Sequence, residues 1–205
     1  MSAVLRLFKL LSGAFSAWCA RKFGAGCLSK IKVSGLATFL VLVLTGCSSG
    51  SWREASRASA NIAPDPASTP EAVIHVYGAD AWGWRGYFAV HTWISVKPKD
   101  ADSYTVLEVI GWREGGGLPV LRIEQDIPDR YWFGAKPELI LERRGEGVNE
   151  LIEQIMTLSG TYPWANTYKV FPGPNSNTFP AWVAQNIPEL GLELPFRAIG
   201  SGWID

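Results

Sequence analysis

The alternation of apolar and polar positions after Pro70 predicts a small sheet, and helical periodicity begins only later in the chain. The β-rich runs lie at residues 72–77, 87–96, 104–112 and 120–123, with a further short run at 139–141. Because a short polar turn at 97–102 separates the second and third runs, we expect these two to form an antiparallel hairpin. Apolar residues at helical spacing follow at 148–156 and at 179–187. This order predicts the α+β class, an antiparallel sheet packed by helices.

The first 47 residues follow a different pattern, which is typical of an exported protein. An apolar run at 36–44 follows Lys30 and Lys32 and leads into Leu-Thr-Gly-Cys, which ends at Cys47. A basic flank, a short apolar core and small residues before a processing point characterise a secretory signal. The tetrapeptide resembles the bacterial lipobox, in which the cysteine is lipidated and becomes the first residue of the mature protein. Cys47 is therefore the candidate lipidation site, and a membrane is the expected partner. The apolar run is shorter than the ~20 residues that a spanning helix needs, and an uncleaved membrane anchor is the alternative.

Composition divides the rest of the chain into a tether and one domain. Residues 48–70 are rich in Ser, Ala and Pro and predict a flexible tether, and residues 71–205 are long enough for a single globular domain. The 19 basic and 19 acidic residues do not balance locally, since six basic residues and no acidic residue lie before Cys47. The part after Cys47 is therefore acidic, which argues against nucleic acid as a partner.

The leader also predicts the location of the protein. A lipidated cysteine places the domain in the cell envelope, facing the periplasm. Ser48 and Ser49 follow Cys47, and the aspartate that is often linked to inner-membrane retention is missing. This favours the outer membrane.

The cysteine and histidine counts limit the chemistry of the domain. All three cysteines lie at or before the predicted processing point, so the domain contains no disulfide, thiolate metal site or catalytic cysteine. The two histidines, His75 and His91, are too few to predict a zinc site by themselves. We expect neither a metal nor another cofactor.

Residues 172–179, Pro-Gly-Pro-Asn-Ser-Asn-Thr-Phe, carry the main candidate for catalysis. Their prolines and glycine predict a turn, and Asn175 and Ser176 both favour the N-cap of the helix that follows. Free N–H groups at a helix N-terminus stabilise negative charge. Ser176 is therefore a candidate nucleophile, with the N–H groups around Asn177 as a candidate oxyanion site. A plain helix cap is the alternative explanation of the same pattern.

A serine nucleophile needs a base, and His91 is the better candidate of the two histidines. It lies on a predicted strand beside Trp93, ahead of the polar turn. Glu108 on the next strand is the candidate orienting group, since a hairpin around Asp100 can bring it near His91. This placement depends on register, because a slip of one residue turns a side chain to the other face. A structural histidine and a solvent-exposed glutamate are the alternatives.

Aromatic loops indicate a second kind of function, binding without catalysis. Trp82 and Trp84 lie in a loop punctuated by glycines, and Trp132 lies in a later aromatic loop. Exposed indoles provide a large contact area. These three residues, together with Asn175 and Asn177, are the candidate ligand-binding residues. Tryptophans that build the core are the alternative.

Three segments resemble a known family. The stretches VYGADAWGWRGYFAVHTWISVKP, DRYWFGAKPELIL and GPNSNTF look like the uncharacterised bacterial family catalogued as domain of unknown function 3750, over residues 72–199. This resemblance implies no established activity. The order of His91 and the later stretch 175–179 is also similar to circularly permuted papain-like folds, such as the lecithin–retinol acyltransferase group. That similarity implies such a fold, with Ser176 at the position of the nucleophilic cysteine.

Two functions follow from these observations. The first is an envelope hydrolase or acyltransferase that acts on a cell-wall or lipid substrate through Ser176, His91 and Glu108. The second is a non-catalytic envelope module that binds a glycan, a peptide or a protein through its aromatic loops. A hydroxyl is much harder to ionise than a thiol. Serine at the cysteine position therefore allows either a serine hydrolase or a site that has lost catalysis and kept binding.

Overall fold

The computed structural model describes residues 51–204, which contain five strands and two α-helices. The predicted leader, with Cys47, lies outside the described residues. The strands are β1 (Val73–Asp80), β2 (Val90–Lys97), β3 (Thr105–Val109), β4 (Leu121–Gln125) and β5 (Glu138–Arg144). The helices are α1 (Val148–Ser159) and α2 (Thr178–Asn186), and short 3-10 turns include Gly83–Tyr87 and Gly111–Gly116. Within the described range, no helix combines the length and the apolar character needed to cross a membrane.

The strands form one antiparallel sheet in the order β4-β3-β2-β1-β5. β2 and β3 form the predicted hairpin, in which Ser95 pairs with Val106. The structure confirms the α+β class, whereas circular permutation of a papain-like fold stays a prediction. Two predicted strands are too long. β2 begins only at Val90 because the residues before it form a 3-10 turn, and β3 ends at Val109 because a second 3-10 turn follows.

Different parts of the chain cover the two faces of the sheet. One face packs against both helices, in a cluster that includes Ile74, Ile94, Leu107, Ile155, Phe179 and Val183. The other face carries a smaller aromatic cluster that includes Tyr77, Trp93, Val106, Trp132 and Phe133. Successive strand residues point to opposite faces. His91 therefore belongs to the aromatic face together with Trp93, and Thr92 belongs to the face that carries the helices.

The segment before β1 packs on the aromatic face. The Asp129 carboxylate accepts hydrogen bonds from Ser59 Oγ at 2.8 Å and from the N–H groups of Ile62 and Ala63 at 2.6 and 3.1 Å. Ile62 also packs against the aromatic cluster. Residues 59–63 are therefore held on the domain by a carboxylate 66–70 residues later in the chain. The division into a flexible tether at 48–70 and a domain at 71–205 stays a prediction.

Candidate functional site

A cavity of about 350 Å³ opens where β2 begins and β3 ends. It brings together His91 from β2, Val109 from β3 and Ser176 from the loop before α2. Seven aromatic residues contribute to its wall: Trp82, Trp84, Phe88, Trp112, Trp132, Tyr168 and Phe171. Among the site residues that the sequence predicts within the domain, all except Glu108 line this cavity. The candidate catalytic and binding residues thus share one site.

His91 is fixed between an indole and a carboxylate. Its ring stacks on Trp132, with 3.5 Å between the ring centroids and 4° between the ring planes. Its Nε2 lies 3.4 Å from Glu108 Oε2, a long contact that still orients the ring. Its Nδ1 makes no hydrogen bond to any residue in the range 51–204. Because Nε2 faces Glu108, Nδ1 is the ring nitrogen open to a further hydrogen bond.

Glu108 is the buried centre of a charged network. Its Oε1 accepts from Arg122 Nη1 at 2.7 Å and from Arg130 Nη2 at 2.5 Å. Arg122 also donates to Asp126 Oδ2 at 2.7 Å. Burial alone would raise the pKa of Glu108, but the hydrogen bond from His91 and the charge of Arg130 outweigh it and hold that pKa far below its ordinary value. Glu108 is therefore a carboxylate at neutral pH.

The environment also fixes the protonation of His91. Burial lowers the pKa of His91, and the nearby charge of Arg130 acts in the same direction, although Glu108 opposes both. The ring is thus neutral at pH 7. Since Nε2 faces a carboxylate, Nε2 carries the hydrogen and donates it to Glu108. Nδ1 is left with a lone pair that can accept a proton or a hydrogen bond.

Ser176 lines the same cavity as this histidine without being hydrogen-bonded to it. No hydrogen bond links the Ser176 hydroxyl to His91 or to any other described residue. One contact between the two segments is made by Thr92, whose Oγ1 donates to Asn177 Oδ1 at 2.9 Å and lies 3.4 Å from the Ser176 carbonyl oxygen. This follows from strand alternation, because Thr92 faces α2 and His91 faces the aromatic cluster. The two residues share the cavity, but they do not form a bonded pair.

The loop before α2 uses its asparagines internally. Asn175 Nδ2 donates to the carbonyl groups of Val170 and Ile199, both at 3.1 Å. Asn177 Nδ2 donates to the carbonyl groups of Val90 at 3.0 Å and Ile199 at 2.8 Å. These bonds tie the start of β2 and the C-terminal tail to the loop. Both asparagines line the cavity, but their amide groups are already engaged in holding its wall together.

The N-cap of α2 and the backbone N–H groups around Asn177 also differ from the arrangement that the sequence predicts. Helix α2 begins at Thr178 with Asn177 as its N-cap residue, so Asn175 and Ser176 precede the N-cap and do not occupy it. The Asn177 N–H donates to Asn175 Oδ1 at 2.9 Å, and the Thr178 N–H donates to the Asn175 carbonyl at 3.1 Å. Neither group is free for an oxyanion. The Ser176 N–H, by contrast, has no partner among the described residues.

Several cavity residues escaped the sequence analysis. Trp112 lies just past β3 and is 61% exposed, and Phe171 precedes the Pro-Gly-Pro turn and is 77% exposed. A large aromatic residue next to a glycine-rich or proline-rich turn was the only available signal for either residue. The partners of Glu108, Arg122 and Arg130, were also missed. Within residues 51–204, no cluster of three or more His, Cys, Asp and Glu residues is placed to hold a metal ion.

Comparison with known proteins identifies a family but no characterised relative. No curated protein and no solved structure matches the chain. A family model described as "Protein of unknown function (DUF3750)" matches residues 71–203, which include β1 to β5, both helices and every residue of the cavity. The chain therefore belongs to the DUF3750 family.

Proposed function

We propose that this protein is a lipid-anchored binding module of the bacterial cell envelope, which takes a ligand with a broad apolar face into the aromatic cavity. The sequence before Ser48 supports the address, since the apolar run and the lipobox-like tetrapeptide end at Cys47. The geometry of the cavity supports the binding function.

The observation that carries the proposal is the exposure of large aromatic side chains around one opening. Trp84, Trp112 and Phe171 are 70%, 61% and 77% exposed, and all three line the cavity. Exposed apolar surface that is concentrated at a concave site marks a place of interaction rather than a fault in the core. Two polar groups of residues that line the cavity, His91 Nδ1 and the Ser176 hydroxyl, have no hydrogen-bond partner within the described part of the chain. A ligand held mainly by contact with its apolar face, and oriented by these few polar groups, fits this composition.

Removing one rim indole is expected to weaken binding by roughly tenfold, since a buried aromatic contact contributes about 1–3 kcal/mol. The probe is the apolar dye 1-anilinonaphthalene-8-sulfonate, titrated against the full-length protein in detergent and followed by its fluorescence. Trp112→Ala and Trp84→Ala are the test variants. Phe196→Ala is the matched control because Phe196 is fully exposed and does not line the cavity.

Cell-wall fragments and short-chain phospholipids, added as competitors, then identify the class of natural ligand. A competitor that displaces the dye from the wild type also has to lose affinity in Trp112→Ala. Equal dye affinity in the wild type, both rim variants and the control would contradict the proposal.

A hydrolase or acyltransferase is the second candidate, and one observation favours it. The Ser176 hydroxyl, the Ser176 N–H and His91 Nδ1 all lack partners within the described residues, and Ser176 and His91 line the same cavity. In this scheme Ser176 Oγ attacks an acyl carbonyl, His91 Nδ1 takes the hydroxyl proton, and that proton passes to the departing group. Glu108 holds the neutral imidazole from Nε2. The scheme requires ligand binding to bring Ser176 and His91 into hydrogen-bond contact.

Covalent labelling with a fluorophosphonate probe tests this second candidate. If Ser176 is a nucleophile, the full-length protein is labelled and Ser176→Ala loses the label, while Ser103→Ala keeps it because Ser103 is a half-buried residue that does not line the cavity. Mass spectrometry of the labelled peptide identifies the modified residue. An unlabelled wild type, or label that survives Ser176→Ala, would rule out the catalytic function and leave the binding module.

A further inference from the structure

We propose that the protein rests on an anionic bilayer through one face of the domain, which we call the basic aromatic face. Its residues are Trp52, Arg53, Arg57, Trp84, Arg85 and Trp112. The proposal rests on the lipid-anchored part of the proposed function and is independent of what the cavity binds. In this orientation the mouth of the cavity faces the membrane.

Contacts between side chains connect Trp52 and Arg57 with the mouth of the cavity, which Trp84, Arg85 and Trp112 line. The guanidinium carbon of Arg57 lies 4.3 Å above the Phe133 ring and 6.0 Å from the Trp52 ring. The Phe133 ring lies 5.5 Å from Trp112 and 5.7 Å from Trp82, measured between centroids. Trp82 and Trp112 both line the cavity. The first described residues of the chain therefore border the opening of the cavity.

The charges of this face differ from those of the domain as a whole. Although the part of the chain after Cys47 is acidic, the side chains of Arg53, Arg57 and Arg85 form no salt bridge among residues 51–204. Arg53 lies 4.7 Å above the ring of Trp52, which is half exposed. Glu54 and Glu114 are the acidic residues nearest to this face in sequence. Indoles beside arginines suit the lipid–water interface, where the ring enters the headgroup layer and the guanidinium binds phosphate.

The short stretch of chain between Cys47 and this face favours a lipid bilayer as its partner. Ser51 follows Cys47 by four residues, and four extended residues reach at most ~14 Å. A lipid on Cys47 therefore brings the start of the described domain, with Trp52 and Arg53, to the membrane surface. A soluble protein partner would have to compete for this face against a bilayer that is always within reach. Anionic lipid headgroups supply the complementary charge.

The experiment measures contact between the domain and lipid in the full-length protein. The protein is reconstituted into vesicles of phosphatidylglycerol and phosphatidylethanolamine with brominated acyl chains, which quench nearby tryptophans. The test variant is Arg53→Glu/Arg57→Glu, which leaves all cavity residues unchanged. The control is Lys99→Glu/Arg143→Glu, with the same change of charge at the opposite end of the sheet. Lys99 follows the end of β2, and Arg143 pairs with Ile74 at the start of β1.

The wild type and the control are expected to be quenched equally. In the test variant, the ratio of docked to undocked domain is expected to fall by roughly tenfold or more. The reason is that an anionic surface attracts each arginine and repels each glutamate. High salt should reduce quenching in the wild type. Equal quenching in test and control variants, or no quenching in the wild type, would overturn the proposal. Mass spectrometry of Cys47 and dye binding to the cavity, measured on the same samples, report separately on the anchor and on the binding function.

Discussion

Replacing Glu108 with alanine is expected to lower the free energy of unfolding by about 3–5 kcal/mol. Glu108 is fully buried and accepts from Arg122 and Arg130, two guanidinium groups that are themselves largely buried. Its removal leaves these cations without their shared carboxylate and takes the Nε2 partner from His91. Urea denaturation of the full-length protein in detergent, followed by tryptophan fluorescence, measures the loss.

The position of Glu108 in the network explains the expected size. An ion pair that is broken on one side leaves a desolvated charge, whereas an exposed pair exchanges protein contacts for water at little cost. Glu124 provides the matched control because it also pairs with Arg122, at 3.0 Å, but its side chain is 51% exposed. Glu124→Ala is expected to lower the free energy of unfolding by less than about 1 kcal/mol. If the two substitutions cost the same, the buried network does not stabilise the site.

The pH dependence of stability tests the contribution of Glu108 in a second way. Because the folded state lowers the pKa of Glu108, the unfolded chain binds a proton there at a pH at which the folded chain does not. Its contribution is therefore fully present above the ordinary value of 4.5 and is lost as the pH falls below it. In Glu108→Gln, stability should fall less steeply below pH 4.5 than in the wild type.

The hairpin and its consequence for the site could be predicted from local sequence. The polar turn between two β-rich runs predicts that β2 and β3 pair, and this pairing is what brings Glu108 to His91. The role of Glu108 as an orienting group stays a prediction. Its arginine partners could not be found in this way. Arg122 is opposite Glu108 only through the register of β4, and Arg130 comes from a loop whose path is set by the aromatic cluster.

The loop before α2 shows a different limit. Asparagine and serine at the start of a helical pattern predict caps and free N–H groups, since these are their usual local functions. Here the first residue of β2 and the C-terminal tail provide carbonyl groups that compete for the same amides. The sequence does not distinguish an asparagine that hydrogen-bonds a ligand from one that hydrogen-bonds a distant backbone group. Tertiary contacts decide between them, and here they engage the asparagines and give the Ser176 hydroxyl no hydrogen bond to any residue in the range 51–204.

The tail itself provides a sharp test, because Gly200→Ala is expected to cost about 3 kcal/mol. Gly200 has a φ of +97°, and a Cβ there would overlap the Asn175 amide, with 2.6 Å to Oδ1 and 2.7 Å to Cγ. That amide cannot move aside without breaking its bonds to Val170, Ile199 and Asn177.

Two other glycines separate the causes of this loss. Gly134→Ala adds a Cβ at a φ of +89° in open space and should cost about 1 kcal/mol, whereas Gly115→Ala has neither problem and should be nearly neutral. If Gly200→Ala lowers the free energy of unfolding no more than Gly134→Ala does, backbone strain alone explains its effect. A larger decrease in the free energy of unfolding for Gly200→Ala, together with weaker dye binding, would show that the loop before α2 holds the wall of the cavity in place.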